Sequence, residues 1–264
     1  MRGYISVFRV PKEGASVAEY EDAVMVGPPP VGEGDFAGHR LWAAVADGAS
    51  EAMLAGRWAV DLVTRFTNAP LSADLATVLA DAVEGWAAGE EAYIAGREAS
   101  GRPIQWYEED GLSRGAFATI VGLRLVDAVR GYSEEGGFDV WAIGDSCLFQ
   151  VRDDKVLTAF PIEDAAAFDT SPDLVPSRPN DFSLVSQRIG HLRGRWRSGD
   201  VFYLATDALA HWFLAAATAG AQPWRPLRDL GTKDGDDFST WVAKGRSAGH
   251  LRNDDTTLLR IDIH

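Results

Sequence analysis

One cysteine, Cys147, stands among 264 residues. An internal disulfide is therefore excluded, and such sparse cysteine use fits a reducing compartment. With five histidines and that single thiol, no Cys/His spacing of a zinc site occurs. No apolar run approaches the roughly 20 residues that a membrane-spanning helix needs. The opening stretch, MRGYISVFRVPKEG, has no sustained apolar core and no small-residue cleavage site, so it does not read as a signal peptide. Positive charge is also short. Lys and Arg number 25 against 39 Asp and Glu, leaving a net charge of −14 and a pI of about 4.7. That balance argues against nucleic acid or an anionic membrane as a main partner, because both require a positive field. The expected location is cytoplasmic.

What is present describes a globular chain. Hydrophobic residues make up 46% and charged residues 24%, and the length buries a core comfortably. Short apolar runs predict strands at Tyr4–Val10, Ala23–Val26, Leu41–Ala46, Ala116–Leu125, Phe138–Ile143, Cys147–Val151, Val201–Thr206 and Thr256–Ile263. Helical spacing predicts Ser50–Phe66, with Ser50 as its N-cap, and Ser72–Arg97 directly after it. Later helices are expected at Ala208–Ala219 and Asp236–Ser247. Strands, two adjacent helices, more strands and then helices do not make the βαβα alternation of a parallel sheet. The pattern predicts an α+β protein of mostly antiparallel sheets flanked by helices. No internal repeat or low-complexity linker divides residues 1–264, which read as one domain. The least regular stretch, Pro161–Ser198, is long enough to be expected as a functional flap.

The chemistry-bearing residues gather at strand ends. Leu-Trp-Ala-Ala-Val-Ala runs into Asp47-Gly48, Val-Trp-Ala-Ile-Gly into Asp145, and Val-Phe-Tyr-Leu-Ala-Thr into Asp207. Glu21-Asp22 and Asp254-Asp255 each precede a strand. In an antiparallel pair the end of one strand lies beside the start of its neighbour, so all five acidic positions can meet at one edge. Such a cluster repels itself unless cations or protons neutralise it. All-oxygen donors favour Mg²⁺ or Mn²⁺ over softer metals. For any one aspartate the bland reading is a strand-end or helix-cap residue, and Asp47 and Asp207 each precede a predicted helix where a carboxylate is welcome anyway. Five such sites in this order weaken that reading.

Six segments, taken together, resemble the metal-dependent protein phosphatases of the protein phosphatase 2C type, in their bacterial form. They are Tyr-Glu-Asp-Ala (20–23), Val-Ala-Asp-Gly-Ala-Ser (45–50), Gly-Ala-Phe-Ala-Thr (115–119), Ile-Gly-Asp-Ser (143–146), Gly-Asp-Val-Phe-Tyr-Leu-Ala-Thr-Asp (199–207) and Asn-Asp-Asp-Thr-Thr (253–257). The resemblance implies a four-layer α-β-β-α sandwich with two central antiparallel sheets. It implies hydrolysis of phosphoserine and phosphothreonine by a metal-activated water, with two Mn²⁺ or Mg²⁺ ions and room for a third. Asp47, Asp207 and Asp254 take the catalytic places. Asp47 would bridge two metals, with the Gly48 carbonyl on the second; Asp207 and Asp254 would hold the first. Glu21 and Asp22 would act around the pair, and Asp145 with Asp207 would form the weaker third site. Asp255 falls where the family has Asn or Asp. The implied partner is a phosphorylated protein in signalling, opposing a Ser/Thr kinase.

The sequence departs from the family pattern at three positions. Val17 stands where many relatives have a phosphate-gripping arginine, and Arg9 or Lys12 is the candidate replacement. Ala49 replaces the histidine that eukaryotic relatives carry after the Asp-Gly pair, and Ala208 replaces a glycine. These departures leave a second reading, a pseudophosphatase or regulatory binding module with the same fold and little turnover. A third is a hydrolase of small phosphate esters. No Cys-x5-Arg loop for covalent phosphatase chemistry occurs, and Cys147 reads as a buried strand residue.

Overall fold

A computed structural model of the chain describes residues 1–50, 52–128, 135–168, 171–231 and 235–264. Positions 169 and 170 of the expected flap lie outside the described residues. In chain order the strands are β1 (Arg2–Val10), β2 (Ala23–Gly27), β3 (Asp35–Ala37), β4 (Arg40–Ala46), β5 (Phe117–Ala118), β6 (Ile120–Val126), β7 (Gly136–Ile143), β8 (Cys147–Arg152), β9 (Lys155–Phe160), β10 (Val175–Pro176), β11 (Gly190–Trp196), β12 (Val201–Ala205) and β13 (Thr256–Ile263). The helices are α1 (Ala55–Asn68), α2 (Leu75–Ala99), α3 (Trp106–Arg114), α4 (Phe182–Ser186), α5 (Asp207–Thr218), α6 (Trp224–Asp229) and α7 (Gly235–Ser247).

The strands form two large antiparallel sheets, in the orders β3-β1-β13-β12-β8-β9 and β11-β7-β6-β4-β2. Three apolar layers show how they stack. Val45, Val121, Leu123 and Val140 of the second sheet meet Phe202, Leu204, Leu259 and Ile261 of the first. The outer face of the second sheet packs Ala44 and Ala46 against Trp58, Leu62 and Phe66 of α1 and Leu79 of α2. The outer face of the first packs Phe149 and Tyr203 against Phe213 of α5 and Phe238 of α7. The result is the four-layer α-β-β-α sandwich that the family resemblance implies. β4 is buried on both faces past its first residue, which is why Leu-Trp-Ala-Ala-Val-Ala reads as a continuous apolar run instead of an alternating one. Each fully buried side chain such as Leu62 or Phe66 contributes roughly 1.5–3 kcal/mol over exposure.

Several expectations are corrected by local hydrogen bonding. Ser50 does not cap α1, which starts at Ala55 after Leu54 in a left-handed conformation (φ 64°). Residues 48–49 are occupied elsewhere: Gly48 bridges Ala118, and the Ala49 N–H donates to Phe117 O at 3.0 Å. The chain must pass that pairing before it can coil. The expected strand Ala116–Leu125 is broken at Thr119, whose N–H turns to Asp47 O at 2.8 Å. α2 begins with Asp74 accepting from the Thr77 N–H at 2.9 Å. Helix α3, absent from the sequence expectation, has no clear apolar stripe. Its start is held by Glu108, which accepts from the Gln105 N–H and pairs with Nη1 and Nη2 of Arg97.

Candidate metal centre

Sheet register brings the acidic strand ends together. Ala46, the last residue of β4, pairs with Ala23, the first of β2, so Asp47 and Asp22 emerge side by side. Ala205 of β12 opposes Leu258 of β13. Asp207 therefore leaves the first sheet beside the segment that brings in Asp254 and Asp255. Asp145 sits on the crossover from β7 in one sheet to β8 in the other. Gly144 makes that turn at φ +96°, with Thr119 and the Asp173 carbonyl too close for a side chain. Asp47, Gly48, Asp145, Asp207 and Asp254 thus line one cleft of about 500 Å³ at the mouth between the sheets.

Each carboxylate is positioned differently. Gly48 is wedged where an added Cβ would lie 2.8 Å from the Ala55 carbonyl carbon and 2.9 Å from Glu21 O. Only glycine lets the strand end, the start of α1 and the Glu21 backbone meet there. Asp22 lies buried below the cleft; its Oδ2 accepts from Thr257 Oγ1 at 2.7 Å and Thr206 Oγ1 at 3.1 Å. Tyr20 OH joins that group through Thr257 Oγ1. Asp207 is the first residue of α5, where unpaired helix N–H groups favour a negative charge. Its Oδ1 accepts from the Ala208 N–H at 2.5 Å. Asp255 faces the backbone, accepting from the Lys12 N–H at 2.8 Å and the Glu21 N–H at 2.7 Å.

The electrostatics are those of crowded carboxylates. Burial holds Asp47 well above the usual carboxylate range, and repulsion from Asp22, Asp207, Asp254 and Asp145 adds to it. Burial likewise raises Asp22 to about 7, offset by the Thr257 and Thr206 hydrogen bonds and reinforced by Asp255 and Asp207. Asp145 is pushed up to about 7 by burial and by Asp207. Asp207 is raised by burial and by Asp254. The Oδ1 of Asp22 is buried with no hydrogen-bond partner. Among the described residues, no three Asp, Glu, His or Cys side chains converge closely enough to hold an ion as they stand. Ion binding would have to draw the carboxylates inward. The donor set still fits a hard divalent cation: it is all oxygen, its carboxylates crowd and repel one another, and one buried acceptor lacks a donor.

The remaining sequence candidates separate. Lys12 reaches the rim, with its Nζ 3.1 Å from Ser50 Oγ and 3.5 Å from Glu21 Oε2. Ser50 lines the cleft and Glu21 stands beside it as the partner of Lys12. Arg9 is exposed on β1 opposite Thr257 and lines a separate cavity with Ser6, Phe8 and Glu33. Val17 is 81% exposed on a short 3-10 turn. Cys147 is fully buried, its thiol pushed up by that burial. Of the expected flap, Ser171, Pro172 and Leu174 line the cleft, and residues 190–196 pair with β7 as an edge strand.

Sequence reading missed Arg252. Its guanidinium enters the cleft with Nη1 3.6 Å from Asp207 Oδ2, about half exposed. The available signal was its place directly before Asn253-Asp254-Asp255, where any side chain is carried to the same edge.

By sequence alone, no family profile and no curated protein matches the chain. Solved structures match it throughout. The Mycobacterium tuberculosis serine/threonine phosphatase PstP aligns over 100% of both chains, with a TM-score of 0.54 and 17% identity. The catalytic domain of PstP in complex with two manganese ions aligns over 100% of this chain and 99% of that one, at a TM-score of 0.52 and 16% identity. PppA of Pseudomonas aeruginosa aligns over 99% and 98%, at 0.51 and 16%. The chain has the fold of the bacterial metal-dependent protein phosphatases.

Proposed function

We propose that this protein is a metal-dependent serine/threonine phosphatase, a hydrolase of phosphoric monoesters on proteins. The observation that carries the reading is the meeting of Asp47, Asp145, Asp207 and Asp254, from both sheets, in one cleft. The fold shared with PstP, which was solved with two manganese ions, supports it. Asp47, Asp207, Asp254 and the Gly48 carbonyl would hold two Mn²⁺ or Mg²⁺ ions, with Glu21 and Asp22 around them. Bound there, the ions supply Lewis-acid activation of water and neutralise charge on the attacked phosphate.

The chain's own groups do the rest. Thr206 and Thr257 fix Asp22 under the ion-binding edge, so its free Oδ1 keeps one orientation. The N-terminus of α5 keeps Asp207 ionised more readily than burial alone would allow. A phosphate dianion entering this acidic cleft needs positive charge besides the ions. Lys12 at the rim is placed to supply it, in the role that Val17 leaves open. Ser171, Pro172 and Leu174, from the segment before β11, wall the cleft and would act as the flap over bound substrate. The physiological substrate would be a phosphoprotein opposed by a Ser/Thr kinase.

The deciding experiment is Mn²⁺-dependent hydrolysis of p-nitrophenyl phosphate and of a phosphothreonine peptide, run beside Asp47→Ala. Activity on both substrates that is lost in the variant is the expected result. Undiminished turnover by Asp47→Ala would overturn the mechanism. Metal binding with no hydrolysis of any phosphoester would instead favour the pseudophosphatase.

A further inference from the structure

The Asp145–Asp207 flank of the cleft is set apart by a basic side chain that already stands in it. Arg252 Nη1 lies 3.6 Å from Asp207 Oδ2, and both residues line the cleft with Asp145. Its positive charge also acts on the Asp145 carboxylate across the cleft. Arg252 is carried on the loop between α7 and β13, two residues before Asp254. Its backbone is therefore tied to the same edge as the acidic groups. No other ion-pair partner of Arg252 occurs among the described residues.

A guanidinium cannot be deprotonated at working pH, so it is a permanent single charge. A carboxylate already paired with such a charge, as Asp207 is, has less attraction left for a mobile divalent ion. The ion would have to displace Arg252 or sit beside it against like-charge repulsion.

We propose that Arg252 is the resident cation of the Asp145–Asp207 flank, taking the place of a third metal ion, so that this chain holds two divalent ions and no more. The proposal rests on the metal-centre reading above. It gives Arg252 a positioning role: it pairs with Asp207 from within the chain, in the cleft that Asp145 also lines, and holds Asp207 toward the ions that Asp207 would share with Asp47 and Asp254.

The test counts ions and needs no turnover. Mn²⁺ is titrated into the full chain by calorimetry, with bound metal counted by Mn²⁺ electron paramagnetic resonance, for wild type, Arg252→Gln, Arg252→Lys, Asp145→Asn and the Arg252→Gln/Asp145→Asn double variant. The expected stoichiometry is two for wild type and for Arg252→Lys, which keeps the charge. Arg252→Gln should gain one weaker ion, and the double variant should lose that ion again. Asp145→Asn alone should leave the wild-type count unchanged, because no ion rests on Asp145 while Arg252 is present. That last measurement stands even if Arg252→Gln fails to fold. A wild-type chain that binds a third, Asp145-dependent ion overturns the proposal, and so does an Arg252→Gln chain whose binding is unchanged; both leave the metal centre intact. A wild-type chain that binds no divalent ion overturns the metal-centre reading and this proposal with it.

Discussion

Gly48→Ala is the substitution that asks most directly whether the cleft is built as described. The new methyl group would lie 2.8 Å from the Ala55 carbonyl carbon, 2.9 Å from Glu21 O and 3.0 Å from Ala55 O. All three are backbone atoms, and none can swing aside as a flexible side chain would. Ala55 opens α1, whose Trp58, Leu62 and Phe66 are fully buried. On the other side, the Asp47 carbonyl is held by the Thr119 N–H at 2.8 Å and the Ala49 N–H by Phe117 O at 3.0 Å. The strand end is therefore clamped, and relief has to come from a shift of the Asp47–Gly48 segment itself. Overpacking of this kind costs about 1–3 kcal/mol, which for a chain of this size lowers the melting temperature by roughly 2–12 °C. The larger effect should fall on function, because the displaced atoms are the Asp47 carboxylate and the Gly48 carbonyl. Mn²⁺ affinity is expected to drop at least tenfold, a change of about 1.4 kcal/mol. Gly89→Ala is the control: in the middle of α2, its new methyl group would have nothing within 4 Å. It should stabilise the helix by about 0.5–1 kcal/mol with metal affinity unchanged. Differential scanning fluorimetry and Mn²⁺ titration on the three proteins decide it. A Gly48→Ala protein with wild-type stability and wild-type Mn²⁺ affinity would refute the packing argument and the assignment of the Gly48 carbonyl together.

Other outcomes follow from the same geometry. Asp200 is fully buried and accepts from Arg152, Gln150 and the Arg197 N–H. Asp200→Ala strands a largely buried guanidinium and should cost about 3–5 kcal/mol in denaturant unfolding, while Mn²⁺ affinity per folded molecule stays the same. In chelator, stability should fall as pH rises from about 4 to 7. Asp22 holds its proton in the folded chain up to about 7, well above its unfolded value, so that contribution is present at low pH and is lost as pH passes through 7. The Asp22 share is of order 4 kcal/mol, and adding Mn²⁺ should therefore raise the melting temperature more at pH 8 than at pH 5. Equal gains at both would count against the carboxylate cluster as the binding group. Lys12→Ala should raise the Michaelis constant for a phosphothreonine peptide roughly tenfold with a smaller change in turnover number, as expected for a lost charge contact of about 1–2 kcal/mol. An unchanged Michaelis constant would remove Lys12 from substrate binding.

The sequence by itself determined most of the strands and which of them end in carboxylates. Period-two and continuous apolar runs fall on β1, β4, β7, β12 and β13 to within a residue or two, because burial on one or both faces leaves a direct trace in residue type. Aspartates at the ends of those runs could meet at one edge, because antiparallel pairing sets the end of one strand beside the start of its neighbour. Tertiary structure alone decided what each acidic residue does there. Asp254 and Asp255 are neighbours in sequence, yet one lines the cleft and the other holds the Lys12 and Glu21 amides. The chain bends at residues 253–254 before β13, and only packing says which of the two side chains meets the cleft. Lys12 and Arg9 are equivalent in the sequence; the turn after β1 delivers Lys12 to Ser50, while Arg9 stays on an exposed strand face. Arg252 has only its place before Asn253-Asp254-Asp255 to mark it, and its role depends on Asp207, which lies 45 residues earlier in the chain and 3.6 Å away in space. Local pattern records which residues are buried, whereas charge pairing between segments far apart in the chain is a property of distance, and distance exists only after the chain has folded.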